Sequence, residues 1–306
     1  MFVSYRGSIL GTMGWQWRYI LFFTVSSTLI VAAVKFAPAA YRENLALPGL
    51  PLGVLGGAIG IFTSFRTNSA YDRWWEGRKL WGALVNNSRH WASQVLTYAS
   101  PGEKPPTDLQ TRLVRRHIGY VHLLRAVLRR QPLEKDPDVL RFLSLDEVAS
   151  LKTSTNPASA LLHVQMQELQ TEVRSGRLDL FHHQLLDTTI RELLDVQGGC
   201  ERIKNTPFPR GYGFIAERLI LAFSLLLPLG MAQEMGWATV PMSLLVCTGF
   251  LLISEIGRVL EDPFTMFWPA LPLSALSTTI ELNLRERLGE RDLPGMPTEN
   301  KKGILM

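Results

Sequence analysis

From Pro48 to Phe65 the chain reads Pro-Gly-Leu-Pro-Leu-Gly-Val-Leu-Gly-Gly-Ala-Ile-Gly-Ile-Phe-Thr-Ser-Phe, with no charge anywhere. It then passes without a turn signal into Arg66-Thr-Asn-Ser-Ala-Tyr-Asp-Arg73-Trp74-Trp75-Glu76. About 20 apolar residues at 1.5 Å each span the roughly 30 Å hydrocarbon layer of a bilayer. A lone segment there must satisfy its backbone internally, so it is helical. Gly53, Gly56, Gly57 and Gly60 give Gly-xxx-Gly spacing, which lets a second helix approach closely. This one stretch predicts a membrane helix packed against others and continuing into water.

Three further apolar segments follow the same logic. The first runs from about Tyr19 to Val34 between Arg18 and Lys35, with Trp15 and Trp17 at its start as interfacial rings. It lacks a small-residue cleavage site ahead of it, which predicts that it is retained. The second runs from about Ala46 to Phe65. The third, Leu219–Ala232, contains Pro228 and can be extended through Gly213–Ala216. The fourth covers Gly236–Ser254. Gln233 and Glu234 leave only a short connection, so the last two are expected to form a helical hairpin. Arg66, Arg73, Arg78, Lys79 and Arg89 follow segment two, and Arg210, Arg218 and Arg258 flank the hairpin. The loop after segment one holds only Lys35 and Arg42 with Glu43. The positive-inside rule therefore places both termini and the central block in the cytoplasm.

That central block, from Arg66 to Arg210, is also helical in pattern. Leu80, Leu84 and Trp91 recur at helix spacing, as do Leu113, Tyr120, Leu124 and Leu128. Pro101–Pro106 reads as a loop with Thr107 or Asp108 capping the next helix. Lys152–Pro157 is a second break, with Asn156 or Ser159 as cap. A helix from about Asp179 to Val196 is expected to stop at Gly198-Gly199. No strand alternation stands out. The fold class is an all-α membrane protein divided at 1–65, 66–210, 211–260 and 261–306.

Chemistry is sparse. His182 and His183 are adjacent and so point about 100° apart on a helix, and His117 and His122 are five residues apart; neither pair suits one metal ion. Cys200 and Cys247 form no spacing motif. There is no nucleophile elbow, phosphate loop or zinc-protease helix, so an enzyme is not supported and no cofactor is implied. The net charge of +5 fits basic residues at a membrane surface, and no basic module with interleaved aromatics points to nucleic acid. Glu261 and Asp262, before Pro263, form a candidate cation site or alternatively the start of a helix. Trp74, Trp75, Trp81 and Trp91 suit either a ligand cage or interfacial and inter-helix packing.

The apolar helix ending at Phe65 before Arg73-Trp74-Trp75, the stretch Gly199-Cys-Glu-Arg-Ile-Lys-Asn-Thr-Pro-Phe-Pro209, and Glu261-Asp-Pro-Phe264 together resemble the bestrophin family of ion channels. The resemblance spans nearly the whole chain. It implies a homopentamer with four transmembrane helices per subunit, a large cytoplasmic helical region and one central pore. The second helix of each subunit would line an apolar neck, with rings at Phe65, Ile61 and Gly57. Gly57 departs from the family's apolar ring, so the outermost ring is expected to be wider or to be formed by a neighbouring residue. A second, cytoplasmic constriction would fall at Phe181, with Leu185 behind it. Animal members bind calcium through an acidic run after the Pro-Phe; here Thr265-Met-Phe-Trp-Pro269 stands in its place.

The implied function is passage of small monovalent anions such as chloride, with membrane lipids and four further copies of the chain as partners. The short C-terminal segment suits a bacterial member in the inner (plasma) membrane. An apolar neck has no fixed charge to choose sign, and bacterial relatives with aliphatic necks can favour monovalent cations, so Ile61 keeps a cation channel open. A non-conducting membrane scaffold or sensor is the other alternative.

Overall fold

The computed structural model describes residues 16–38, 47–99, 106–206, 209–267, 269–299 and 305. Trp15, Arg42, Glu43, Ala46, residues 101–105, Pro207, Phe208 and Trp268 lie outside the described residues, as does the side chain of Arg210. In chain order the helices are Trp17–Phe36 (α1), Gly49–Tyr98 (α2), Asp108–Leu128 (α3), Pro137–Phe142 (α4) and Leu145–Lys152 (α5). They continue as Pro157–Arg174 (α6), Leu180–Asn205 (α7), Arg210–Met235 (α8), Thr239–Leu260 (α9) and Leu273–Arg287 (α10). No strand occurs among the described residues. Trp17–Phe36, Gly49–Tyr98 and Gly211–Leu260 are long and apolar enough to cross a membrane; the last comprises most of α8 together with all of α9.

The described residues separate into two compact units, one up to Arg73 and from Pro209 to Glu261, the other from Trp74 to Thr206 and from Asp262 onward. These divisions stand beside the sequence-based ones at 65/66, 210/211 and 260/261. The first unit is an apolar bundle of α1, the first half of α2, α8 and α9. Phe23, Ile59, Ile220, Phe223, Cys247 and Leu251 form its core. In α1 the hydroxyls turn back onto the helix: Thr24 Oγ1 donates to Ile20 O at 2.8 Å, Ser27 Oγ to Phe23 O at 2.6 Å and Thr28 Oγ1 to Thr24 O at 2.7 Å. Such bonds satisfy a hydroxyl in apolar surroundings without help from another helix.

The hairpin of α8 and α9 turns through a 3-10 turn at Gly236–Ala238, not at Gln233-Glu234, which belong to α8. Gly236 sits at φ 55°, the left-handed region that glycine enters without Cβ strain, so it ends α8 where the two polar residues before it do not. Phe223 and Phe250 then meet edge-on at 5.9 Å across the pair.

The second unit contains the rest of α2, α3 to α7 and α10. Trp81, Leu84 and Trp91 of α2 and Leu113, Tyr120 and Leu124 of α3 are buried in one core, with Leu186 and Leu193 of α7. The predicted caps are present. Thr107 Oγ1 accepts from Gln110 N while Gln110 Oε1 accepts from Thr107 N, a reciprocal box that stabilises a helix start by about 1 kcal/mol. Asn156 Oδ1 accepts from Ser159 N at 3.1 Å at the head of α6.

One expected stop is absent. α7 continues through Gly198-Gly199 to Asn205. A Cβ on Gly199 would lie 2.8 Å from Leu80 Cδ2, so this glycine lets α2 pack closely on α7 and is not a left-handed cap. Cys200 beside it is fully buried, and burial pushes its thiol up to about 12.

The histidines of α3 are core residues. His117 is fully buried with Nε2 2.9 Å from Ser88 Oγ, and burial drives it down to about 3. His122 Nε2 lies 2.9 Å from Glu281 Oε2. Burial alone would raise the Glu281 carboxyl, but hydrogen bonds and charge from His122 and Arg285, with Arg141, outweigh it and hold it below the usual range.

Candidate functional site

At about 100° per residue, Leu50, Val54, Gly57, Ile61, Phe65, Asn68 and Asp72 fall within an arc of about 80° on α2. All seven are exposed. Nearly opposite them, Leu52, Ile59, Thr63, Arg66 and Ala70 are buried. The rotation of the helix is set by contacts on the buried side. A Cβ on Gly56 would sit 3.1 Å from the Phe223 ring and one on Gly60 3.5 Å from Phe250, while Phe62 stacks on Tyr212 at 5.7 Å. Thr67 Oγ1 donates to Ile253 O at 3.2 Å.

The two Gly-xxx-Gly pairs therefore do different things. Gly56 and Gly60 admit α8 and α9; Gly53 and Gly57 meet nothing within 4 Å. The arc left uncovered includes Ile61 at 62% exposure and Phe65 at 70%. A continuous apolar stripe of this kind needs lipid or another protein surface to cover it. Chemically, the apolar stretch of the arc offers no carbonyl or carboxylate to replace an ion's water.

Arg66 lies immediately after Phe65 and points the other way. Its Nη2 donates to Glu261 Oε1 at 2.7 Å, Nε to the same oxygen at 3.2 Å and Nη1 to Ser254 Oγ at 3.0 Å. Arg73 Nε adds a bond to the Glu261 carbonyl at 2.9 Å. The Arg66 side chain is 4% exposed and that of Glu261 25%, so removing the carboxylate would strand a buried cation. A cavity of about 270 Å³ is lined by Arg66 together with Gln16, Tyr19, Glu217, Glu255 and Arg258. One hydrogen bond bridges its walls, Tyr19 of α1 to Glu217 of α8, while Arg258 pairs with Glu255 one turn earlier on the same helix α9.

The candidate cation site is thus already engaged at both carboxylates. Glu261 accepts from Arg66; Asp262, in the other unit, accepts from Lys204 Nζ at 2.6 Å and caps Phe264 N at 3.1 Å. No group of three or more His, Cys, Asp or Glu side chains gathers for a metal among the described residues.

The remaining candidates sit in the second unit. Phe181 is exposed at the head of α7, where Asp179 Oδ2 accepts from the Phe181 and His182 amides. Leu185 is half-buried, one turn on, and its carbonyl accepts from Gln94 Nε2. Leu180, 68% exposed, is an apolar neighbour slightly more open than Phe181. His182 stacks on Tyr98 at 4.4 Å. The tryptophans form no cage: Trp81 and Trp91 are fully buried, and Trp74 Nε1 donates to Pro269 O at 3.1 Å. Sequence reasoning missed the Arg66–Glu261 pair, for which the signal was a basic residue in phase with Ile59 and Thr63. It also missed Asp72, seven residues after Phe65 and so on the same arc.

The family model for Bacterial/Fungal Bestrophin protein matches residues 1–286. A voltage-dependent anion channel-forming protein of Mesorhizobium japonicum is 31% identical over 300 residues, covering 98% of this chain and 92% of the relative. The voltage-dependent anion channel-forming protein YneE of Salmonella typhi is 33% identical over 288 residues, covering 93% and 90%. A crystal structure of a bacterial bestrophin homologue from Klebsiella pneumoniae superposes with a TM-score of 0.80 at 30% identity, covering 89% of this chain and 98% of that one.

Proposed function

Because this chain belongs to the bacterial and fungal bestrophin family, we propose that it is a homopentameric channel passing small monovalent anions such as chloride. The observation that carries the reading is the uncovered arc of α2, on which Gly57, Ile61 and Phe65 share one exposed face. Five copies of that face around an axis would bury it and form a narrow apolar neck. Two relatives named as anion channel-forming support the sign of the ion.

In this reading Phe65 and Ile61 do the gating work. An ion entering rings of phenyl and aliphatic side chains must shed water without a polar replacement, which is costly. Such a constriction gates by drying and wetting. Gly57 leaves the outer end of the neck wider. Arg66, held by Glu261 and Ser254, is a positioning residue: it locks the turn of α2 that aims Phe65. Phe181 forms the second constriction in the cytoplasm, with Leu185 behind it. The subunit crosses the inner (plasma) membrane four times, with both termini cytoplasmic. Calcium does not open the channel through Glu261 and Asp262, because Arg66 and Lys204 already neutralise them.

Single-channel recording of the purified protein in planar bilayers tests the reading. Discrete chloride-carrying currents are expected, unchanged by micromolar calcium, from a particle with the mass of five chains. A monomer or dimer in mild detergent, or silent bilayers, would overturn it.

A further inference from the structure

The apolar neck cannot set the sign of the permeant ion, so the nearest fixed charge on the same face must contribute. Between Gly49 and Arg73, α2 carries three charged residues, Arg66, Asp72 and Arg73. Arg66 is buried on the far side against Glu261 and Ser254. Arg73 lies about 100° from Asp72, with its Nε on the Glu261 carbonyl. Asp72 alone is on the exposed arc of Ile61 and Phe65, and it makes no ion pair among the described residues.

Seven residues at 1.5 Å place Asp72 about 10 Å beyond Phe65 along the helix, rotated by only about 20°. That separation is about one Debye length at 0.1 M salt. An unpaired carboxylate ring at the inner end of an uncharged neck repels anions and concentrates cations at the point where ions enter or leave it.

We infer that Asp72 is a specificity-determining residue: five copies form an acidic ring at the inner mouth that restrains anion flux and raises cation permeability. This rests on the pore reading given above, since the ring exists only if the arc lines a common axis. The ligand class is the permeant monovalent ion itself, held transiently and with no shed water, because a single carboxylate per subunit does not build a coordination cage.

The test is the reversal potential of purified channels in planar bilayers under a tenfold sodium chloride gradient. Asp72→Asn and Asp72→Lys are compared with the wild-type chain, and each is first checked to be the same oligomer. The chloride-to-sodium permeability ratio should rise about threefold to fivefold in Asp72→Asn near 0.1 M salt, by Coulomb interaction of five charges damped over one screening length. Asp72→Lys should move it further in the same direction, and both shifts should shrink near 1 M salt, where the screening length is about 3 Å. A merely structural role would give no graded response to charge and no dependence on salt. Reversal potentials equal to wild type in both variants, while Phe65→Ala still changes conductance, would overturn the role of Asp72 and leave the pore reading standing. A wild-type chain that passes no current at all would remove the pore reading, and this inference with it.

Discussion

Along α2, the half before Arg73 and the half after Trp74 are built on opposite terms. After Trp74 the helix is an ordinary amphipath: Trp81, Leu84, Trp91 and Val95 are buried, while Lys79, Asn86, His90, Ser93 and Thr97 are exposed. Before Arg73 the exposed side holds Leu50, Val54, Ile61 and Phe65, and the buried side holds Thr63 and the guanidinium of Arg66. The second half finds its solvent in water and its core within its own unit. The first half has an outward face that water does not suit, so its stability depends on what surrounds the chain. Residues of the second half should therefore answer in stability, and exposed residues of the first half in conduction.

The largest effect belongs to the second half. Trp91→Ala should cost roughly 3–5 kcal/mol, read as a lower unfolding midpoint in detergent; a shift below about 1 kcal/mol would break the contrast. Next is the one part of the first half that is buried. Glu261→Gln should cost roughly 3 kcal/mol by leaving Arg66 unpaired, and pairing it with Arg66→Met should recover most of that. If the single variant is as stable as the parent, the locking role of Arg66 fails.

Acid should act on the second unit through His117. Its value falls from an ordinary 6.5 to about 3 on folding, so its contribution is complete above 6.5 and lost as pH drops toward 3. Between pH 7 and pH 5 this amounts to roughly 2 kcal/mol by linkage. Thermal melts of His117→Gln should be flatter over that interval than those of the parent.

Phe65→Ala and Ile61→Ala should change protomer stability by less than about 1 kcal/mol, because neither side chain is buried within the chain. They should instead raise single-channel conductance or open probability; unaltered currents in an intact assembly would remove both from the pore. Smallest in stability is Gly57→Val, since a Cβ there meets nothing within 4 Å. It should narrow the outer ring and lower conductance with no loss of protein.

The apolar runs, the caps at Thr107 and Asn156 and the helix-spaced apolar residues of α3 were legible because each is a local pattern with a local cause. Gly198-Gly199 was misread because glycine signals both a left-handed stop and a close approach, and only the presence of Leu80 decides between them. Gln233-Glu234 looked like a loop by polarity, whereas Gly236, with its positive φ, makes the turn. The arc of α2 could be drawn from spacing alone. Which side of it faced out depended on Phe223, Phe250 and Tyr212, more than a hundred residues away. Arg66 read as an interfacial charge because a basic residue after an apolar run usually is one; its carboxylate partner is 195 residues downstream.

The hydroxyls of α1 have a consequence for what that helix needs from its neighbours. Thr24, Ser27 and Thr28 each spend their proton on a carbonyl of their own helix. In lipid, α1 needs no partner helix to satisfy those protons. α8 is different, because the hydroxyl that meets Glu217 belongs to Tyr19 of α1. The two helices thus differ in self-sufficiency: the hydroxyls of α1 are satisfied within it, whereas the Glu217 carboxylate of α8 takes a donor that α1 brings.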